Sequence, residues 1–596
     1  MAAPGGKYLS NSMATLRGTT RTSASSKPAR RAVAREGRRA ATRRAAGPHS
    51  RRPAPILSRP NSSQRAVAAK SLAEERADEP IGSESLGDYG REQDVVIVGA
   101  GITGLCAALA LRDVHGKDVK SFLVTETRDV VGGNVITKEK DGYVWEEGPN
   151  SFQPNDFVLK AAFDAGCADE LVFGDPTAAR YVFWENELRR VPSGPDAITN
   201  NLLSLWGKIR AGLGAVGILK DAAPDGEETV EQFIRRNLGD EVFYRLIEPF
   251  CSGVYAGDPT KLSMKAAFGK IWILEKNGGS LVGGALELMK DKKANPAPPR
   301  DPKLPTPPKG QTVGSFRKGL QTLPNAIGAS LGSSKVKTEW TLKDIDRENG
   351  KYKLTYTTPE GPVSVSAKSV VFTTPSYVAA QLLRREIPDA HSQLNSFFYP
   401  PVGSVVLSYK KSDIREEMFG DDGRINAFGQ LHPRTQGITT LGTIYSSSLF
   451  PGRCPDDEFL LSSYIGGTLN QGILDQTEEE LAAQVDSDLR RMLIKPGAAK
   501  PRTVGVRVWQ KAIPQFYLGH MEALEAANEA TAEAGYEGLF LSGNYNSGVA
   551  MGKCVEGAYK IADDVAEYCR ELASLSSPAG GASDSGESSS EESFFV

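Results

Sequence analysis

The clearest hydrophobic pattern of the chain lies at residues 94–111. Four consecutive β-branched residues, 95–98, precede Gly99, Gly101 and Gly104, and an alanine- and leucine-rich run follows at 105–111. The first run predicts a buried parallel strand, and the second predicts a helix packed on it. The glycines predict a tight turn that approaches a pyrophosphate at the positive end of the helix. This pattern alone is weak evidence, because glycine turns also occur in structural loops.

A second predicted strand carries the acidic residue that such a turn requires. Residues 121–125 are mainly apolar, and Glu126 follows them, 22 residues after Gly104. That spacing suits a carboxylate that binds a ribose hydroxyl. Together these features favour a dinucleotide site over an ordinary βαβ unit.

Glycine-bearing loops follow at 130–134 and 142–151 and suit a backbone that runs along an extended cofactor. Taken alone, they are better explained as hairpin turns. From about 156 to 290 the pattern becomes helical, with helices predicted at 156–170, 229–250 and 260–290. Residues 202–219 mix large apolar residues with Lys and Arg. A membrane-surface segment is one interpretation of that mixture, and a helix lining an apolar tunnel or core is the commoner one.

The pattern becomes strand-rich beyond a proline-rich connector at 293–311. A helix is predicted at 319–331, and strands are predicted at 335–337, 352–357, 363–366, 369–373, 404–409, 438–445 and 459–465. A second strand, glycine loop and helix unit occupies 539–572. Two such units at opposite ends of the chain predict a discontinuous cofactor domain.

The predicted fold is α/β, with this Rossmann-like domain, a sheet-rich substrate domain and a helical lobe that is a candidate for membrane or substrate contact. The cofactor domain takes residues 91–172, 312–380 and 513–572. The lobe takes 173–292, the linker 293–311 and the substrate domain 381–512. The acidic tail, 573–596, cannot bury enough apolar area to fold and is predicted to be disordered.

Charge is distributed unevenly along the 596 residues. Residues 1–70 carry 16 Lys or Arg and one acid, which leaves 55 basic and 72 acidic residues, a charge of −17, in the remainder. The acidic body gives no electrostatic case for nucleic acid binding. The Arg-, Ala- and Ser-rich start predicts an organelle transit peptide within 1–90, and a basic RNA-binding arm is less favoured because no aromatic residues are interleaved for base stacking.

Other classes of site find little support. The six cysteines and five histidines show no metal-ligand spacing, so no metal is predicted. The cysteines need not form disulfides, because no apolar signal segment predicts secretion. Nowhere do 18 consecutive apolar residues predict a transmembrane helix.

The glycine motifs, Glu126 and the C-terminal unit together resemble the flavin-containing amine oxidase superfamily and, within it, the plastid protoporphyrinogen oxidases. The narrower resemblance rests on segments 148–152, 180–182, 188–193, 248–259, 310–316, 440–447 and 543–552, and it covers roughly 92–570. It implies FAD, held in a fold of the p-hydroxybenzoate hydroxylase type. Relatives commonly have Arg where this chain has Val130.

The resemblance also implies the cofactor residues. These are Gly99, Ala100, Gly101, Ile102, Thr103 and Gly104 at the pyrophosphate, Glu126 at the adenosine ribose, Val336 beside the adenine, Gly148, Pro149, Asn150 and Ser151 near the flavin, Asn544, Val549, Ala550 and Met551 along the ribityl chain and isoalloxazine, and in addition Thr127 and Asn134. The N-terminus of the last helix can stabilise negative charge on reduced flavin.

The implied reaction is a six-electron oxidation of protoporphyrinogen IX to protoporphyrin IX, with oxygen accepting the electrons through FAD. Arg180 is implied to bind a propionate, which a guanidinium does bidentately. Leu431, Ile444 and Tyr464 are implied to enclose the macrocycle, and Gly253 to lie near the reacting carbon. Considered without the resemblance, Arg180 is explained as part of a surface ion pair and Gly253 as a helix-breaking turn. Ordinary core positions would explain the other three residues, Leu431, Ile444 and Tyr464. No protein general base is assigned.

The resemblance further implies a chloroplast location, association with the thylakoid or envelope membrane, and a homodimer. An amine oxidase and a carotenoid desaturase share the nucleotide motifs. The first is disfavoured because the C-terminal segment lacks an aromatic cage and a covalent cysteine, the second because of Arg180 and segment 248–259. A third alternative is a non-enzymatic escort protein of the GDP-dissociation-inhibitor type.

Overall fold

The computed structural model describes residues 87–192 and 199–576. Most of the predicted transit peptide and of the acidic tail lies outside these residues. Gly87–Asp88 forms a strand and the C-terminal helix continues to Ser576, which corrects the predicted limits at 90 and 573.

The described residues include nineteen strands and seventeen α-helices. The strands are β1 (Gly87–Asp88), β2 (Gln93–Val98), β3 (Phe122–Thr125), β4 (Thr137–Lys140), β5 (Tyr143–Glu146), β6 (Leu171–Phe173), β7 (Ala179–Trp184), β8 (Glu187–Arg190), β9 (Gly314–Phe316), β10 (Val336–Lys337), β11 (Thr341–Glu348), β12 (Lys351–Thr358), β13 (Gly361–Phe372), β14 (Val402–Lys410), β15 (Ala427–Leu431), β16 (Thr440–Ile444), β17 (Glu458–Gly466), β18 (Arg502–Trp509) and β19 (Leu539–Leu541). The α-helices are α1 (Ile102–Asp113), α2 (Asp156–Asp164), α3 (Leu205–Ala215), α4 (Val230–Leu238), α5 (Asp240–Val242), α6 (Glu248–Tyr255), α7 (Met264–Ala267), α8 (Gly269–Gly278), α9 (Leu281–Ala294), α10 (Thr322–Leu331), α11 (Ser376–Leu383), α12 (Pro388–Asn395), α13 (Ser446–Leu449), α14 (Glu478–Met492), α15 (His520–Glu533), α16 (Asn544–Ser547) and α17 (Met551–Ser576).

The strand before the glycine turn lies inside an eight-stranded sheet. Its main path runs β10-β3-β2-β13-β12-β11, and β1 and β19 also pair with β13. The second half of β13 pairs in parallel with β2 and β19, whereas its first half pairs with antiparallel β12. The strands predicted at 363–366 and 369–373 are therefore one continuous strand.

Helices cover both faces of this sheet. Alternate residues of β2 point to opposite sides, so Val95 and Ile97 pack with α1, α10 and α17, while Val96 and Val98 pack with α11, α12 and α15. All four side chains are buried. Because helices cover both faces of the sheet, β2 is apolar on both of its faces. Its C-terminal end leads directly into the glycine turn.

A second, seven-stranded sheet has the order β18-β14-β17-β16-β15-β7-β8, with α14 packed on one face. The β7–β8 hairpin comes from the region predicted to be helical and was not foreseen there. It turns at Glu185 and Asn186, both with positive φ, and β7 then pairs in parallel with β15. The first strands of the substrate sheet thus precede the helical lobe in sequence.

The helical lobe comprises α3–α9 around a small core of Phe233, Ile234, Cys251, Leu262 and Met264. The helices predicted at 229–250 and 260–290 are each divided into shorter segments, because glycines interrupt them and a π-helical turn occupies Phe243–Ile247. Among the described residues, the helices are too short or too polar to span a membrane. Beyond α9, residues 295–313 form a loop.

Candidate active site

The glycine turn between β2 and α1 is tightly packed. Gly99 has φ +107°, and a Cβ atom at Gly104 would overlap the carbonyl oxygen of Gly99. Gly101 precedes α1 and provides no side-chain cap, and no acid lies in the first helical turn. The first N–H groups of α1 are therefore available to an anion, with the buried residues Ile102 and Thr103 fixing the helix on the sheet.

A second glycine pair lies against this turn. The Gly132 N–H donates to the carbonyl of Ala100 at 2.8 Å, and a Cβ at Gly133 would lie 3.1 Å from the Gly101 Cα. A side chain at Gly133 would crowd the Gly101 backbone and would be strained by the φ of +61° at that position. Arg128 donates to the Gly133 carbonyl at 2.8 Å, whereas Val130 is 43% exposed.

Glu126 lies at the C-terminal end of β3, beside the turn. Its Oε2 accepts from the Ala100 N–H at 3.0 Å, and its Oε1 accepts from the Arg128 N–H at 3.1 Å. These two bonds fix the carboxylate beside the glycine turn. Thr127 is exposed next to it, and Val336 pairs with Val124 on the neighbouring strand β10.

The loop of residues 148–151 connects this edge to the second sheet. A Cβ at Gly148 would overlap the carbonyl oxygen of exposed Asn134, and the Tyr464 hydroxyl donates to the Gly148 carbonyl at 3.3 Å. Asn150 is buried and donates to the Ser446 hydroxyl at 3.3 Å, while its Oδ1 has no partner among the described residues. Pro149 and Ser151 flank Asn150 and are half-buried. A buried acceptor without a partner indicates an available ligand contact.

The C-terminal unit supplies two more helix starts. Asn544 begins α16 after Gly543, whose φ is +132°, and Val549 and Ala550 lead into α17, which Met551 begins. Helix α17 packs on α1 within one apolar cluster. The two strand-loop-helix units therefore share one side of the sheet, although they are more than 400 residues apart.

These features fit FAD. The glycines leave room for the pyrophosphate, Glu126 offers a carboxylate for the ribose, and α1 and α17 direct their N-termini to the same side of the sheet.

The strand register places four predicted substrate residues on one face of the seven-stranded sheet. Arg180 pairs with Gly429, which pairs with Ile444, whereas Leu431 pairs with Gly442, which pairs with Tyr464. Residues that pair directly, or lie two apart on one strand, point to the same face. Arg180, Leu431, Ile444 and Tyr464 therefore share the face from which Tyr464 reaches Gly148.

Arg180 is half-buried and held in place. Its Nη2 donates to the Gln311 carbonyl at 2.9 Å, and its guanidinium lies 5.1 Å from the centre of the Phe428 ring. Among the described residues it forms no ion pair, which does not support the surface ion pair that the sequence alone suggested. Burial lowers the pKa of the guanidinium, because the charge has lost water. A carboxylate ligand would restore the missing counter-charge.

Gly253 lies in α6, directly over the substrate sheet. A Cβ atom there would overlap the Leu431 Cδ2 and lie 3.6 Å from the Leu441 carbonyl oxygen. Two further residues fix this helix: Glu248 binds Arg434 through an ion pair at 2.9 Å, and the Arg434 N–H donates to the same carboxylate at 3.1 Å. Burial raises the pKa of Glu248.

Sequence reasoning missed several of these residues. Phe428 orients Arg180, and the Glu248–Arg434 pair joins the helical lobe to the β15–β16 loop. Glu146 and Arg453 form a second buried pair, 3.6 Å apart, which links β5 to the turn between α13 and β17. Burial raises the pKa of Glu146 to about 7. The sequence carries no signal for such pairs, because their partners are far apart in the chain.

Several known proteins share the sequence or fold of this chain. The profile of the family described as flavin containing amine oxidoreductase matches residues 102–566. The chain belongs to this family. The α/β fold and the FAD-dependent oxidoreductase class predicted from the sequence are thereby confirmed.

Two curated relatives are similar over most of their length. Chloroplastic protoporphyrinogen oxidase 1 of Spinacia oleracea is 59% identical over 477 residues, which cover 80% of this chain and 84% of that protein. Chloroplastic protoporphyrinogen oxidase of Oryza sativa subsp. japonica is 58% identical over 484 residues, covering 80% and 89%. A solved structure, a putative protoporphyrinogen oxidase from Exiguobacterium sp. 255-15, has a TM-score of 0.64 at 24% identity and covers 81% of this chain and all of that one. It shows the shared fold.

Proposed function

We propose that this protein is a chloroplast protoporphyrinogen oxidase, which converts protoporphyrinogen IX to protoporphyrin IX in heme and chlorophyll biosynthesis. The observation that carries the proposal is the substrate face: Arg180, without an acidic partner among the described residues, shares it with three large apolar or aromatic side chains, next to the 148–151 loop. A flat apolar ring system with a carboxylate at its edge matches that arrangement. The plant relatives carry the same activity in their names.

The residues of this chain have separate proposed roles. The glycines at 99, 101 and 104, together with Glu126, hold FAD, and Arg180 binds one propionate. Leu431 and Gly253 shape the wall beside the macrocycle, and Tyr464 fixes the 148–151 loop through its hydroxyl. FAD, when bound, supplies the two-electron oxidation, and molecular oxygen is the proposed final acceptor. No side chain is assigned as a proton acceptor.

The activity is tested with purified protein under air. The protein should be yellow from bound flavin, and added protoporphyrinogen should give the red fluorescence of protoporphyrin together with hydrogen peroxide. A colourless protein that takes up no FAD would contradict the enzyme and favour an escort function. A yellow protein that oxidises an amine or a carotene precursor, without any gain in porphyrin fluorescence, would favour the other oxidases of the family.

Membrane association is a second part of the proposal. Helix α3 exposes Leu205 and Trp206 at 76% and 67%, and Ile218 after it is 74% exposed. An exposed tryptophan among aliphatic side chains suits the headgroup level of a bilayer. A Trp206→Ser variant should float less with vesicles of plastid lipids. Leu575 is also an exposed apolar residue, but it lies on α17, so a Leu575→Ser variant should float as well as the protein without substitutions. Equal flotation of both variants would contradict the placement on α3.

The thylakoid or envelope location and the homodimer are proposed on family resemblance. Fractionation of plastids that express a tagged full-length chain tests the first, and light scattering of the detergent-solubilised holoenzyme tests the second. Recovery in the stroma, or a monomeric mass, would contradict them.

A further inference from the structure

His520 is a buried polar residue with an unusual environment. The first residue of α15, it lies between the rings of Phe397 and Phe516, whose centres are 4.4 and 4.2 Å away at interplanar angles near 30°. Its Nε2 is 2.7 Å from the Tyr545 carbonyl oxygen. A carbonyl only accepts, so Nε2 carries a proton. Burial lowers the pKa of the ring and so favours the neutral form, in which Nδ1 carries none. Nδ1 has no partner among the described residues.

The carbonyl that His520 binds belongs to α16, the single helical turn within the loop between β19 and α17. Gly543 and Gly548 bound this loop with φ of +132° and +115°, and its buried Tyr545 has a hydroxyl without a partner in the described part of the chain. The Asn546 and Ser547 N–H groups donate to the Gly543 carbonyl, and the Asn546 side chain donates to the Leu541 carbonyl. With so few bonds in one short turn, the additional contact from His520 has a large effect on its geometry. Asn544 and residues 549–551, the predicted flavin contacts, flank Tyr545.

Burying an imidazole between the Phe397 and Phe516 rings costs more free energy than burying a phenyl ring there. A phenyl ring would fill the space between Phe397 and Phe516 without burying an unpartnered nitrogen, and burial lowers the pKa of His520. The feature that a phenyl ring cannot supply is the N–H donated to Tyr545.

We propose that His520 is a positioning residue that fixes the 543–548 loop against the flavin through its Nε2–H. The inference rests on the proposed function, because that function places the flavin beside Asn544. The residue acts through the Tyr545 carbonyl and does not touch the reacting atoms. Its loss leaves a buried carbonyl unpaired and lets the loop move away from the cofactor.

Two variants separate the hydrogen bond from packing. His520→Phe keeps an aromatic ring between the two phenylalanine rings and removes the donor, whereas His520→Gln keeps an N–H at similar reach and removes the ring. Each holoenzyme is stripped of flavin, and the FAD dissociation constant and the visible flavin spectrum are measured after reconstitution. A thermal melt of the flavin-free protein reports folding.

We expect His520→Phe to bind FAD about tenfold more weakly, with a shifted flavin band, and His520→Gln to remain within about threefold of the unchanged protein. Equal binding by the Phe variant, or an equal loss in the Gln variant, would overturn the proposal. If the Phe variant does not fold, the Gln variant decides: retained FAD binding supports the hydrogen bond, and its loss refutes it. If the protein without substitutions binds FAD but does not oxidise porphyrinogen, the proposed function is contradicted. The effect of His520 on FAD binding would still stand.

Discussion

Replacing Arg180 is the most direct way to test the substrate face. The guanidinium has lost water and is oriented by Gln311 and Phe428 before any ligand arrives. It therefore loses little conformational entropy when it binds a carboxylate. We expect Arg180→Ala to raise the KM for protoporphyrinogen with a small effect on kcat. The propionate lies away from the reacting carbon, so its contact with Arg180 should be equally strong in the ground state and in the transition state.

The magnitude follows from the type of contact. A hydrogen bond to a charged group contributes about 1.5–3 kcal/mol, which corresponds to a rise in KM of about 10- to 150-fold. Arg180→Lys keeps the charge but loses the planar fork, so its rise should be smaller. Arg190→Ala is the matched control, since Arg190 pairs with Tyr181 and so points to the opposite face of the sheet.

The assay measures KM for the porphyrinogen diacid and for its dimethyl ester, with porphyrin fluorescence as the readout of product formation. The ester has no carboxylate, so Arg180→Ala should change its KM little while greatly raising that of the diacid. An equal penalty on both substrates would show that Arg180 supports the fold and not the propionate. A similar penalty from Arg190→Ala would refute the assignment of faces.

Three further predictions concern other parts of the site. Gly104→Ala places a Cβ against the rigid Gly99 carbonyl, so the variant should purify without flavin absorbance, and a yellow variant would contradict the turn geometry. Gly253→Ala should raise the porphyrinogen KM several-fold, and adding Leu431→Val should recover part of the loss by freeing space, whereas no recovery would place the steric conflict elsewhere. Glu146 has a folded-state pKa raised to about 7, so its contribution to stability is complete below about pH 4.5 and is lost as the pH rises through 7. Denaturant unfolding at pH 5.5 and 7.5 should show a smaller loss of stability in Glu146→Gln than in the unchanged protein, and parallel losses would contradict the raised pKa.

The sequence by itself determined the nucleotide half of the protein, because the interactions involved are local. The β-branched run, the glycine spacing and Glu126 lie within 35 residues, and their geometry follows from one strand-turn-helix-strand unit. The C-terminal unit, with Gly543 ahead of α16, was equally readable. The strands predicted at 404–409, 438–445 and 459–465 were also found, with ends that differ by one or two residues, whereas β15, which lies between the first two, was not predicted.

Only the tertiary structure decided how the substrate half is assembled. The hairpin at 179–190 pairs with β15, some 250 residues later, and that pairing brings Arg180 to Gly429 and onto the face of Ile444. A one-residue change of register would turn Arg180 to the opposite face, and nothing in the local sequence fixes that register. The contact between Gly253 and Leu431 and the hydrogen bond between His520 and Tyr545 likewise depend on how separate elements pack together. The chain encodes its cofactor motif locally, whereas its specificity depends on packing between distant segments, which a reading of neighbouring residues does not reveal.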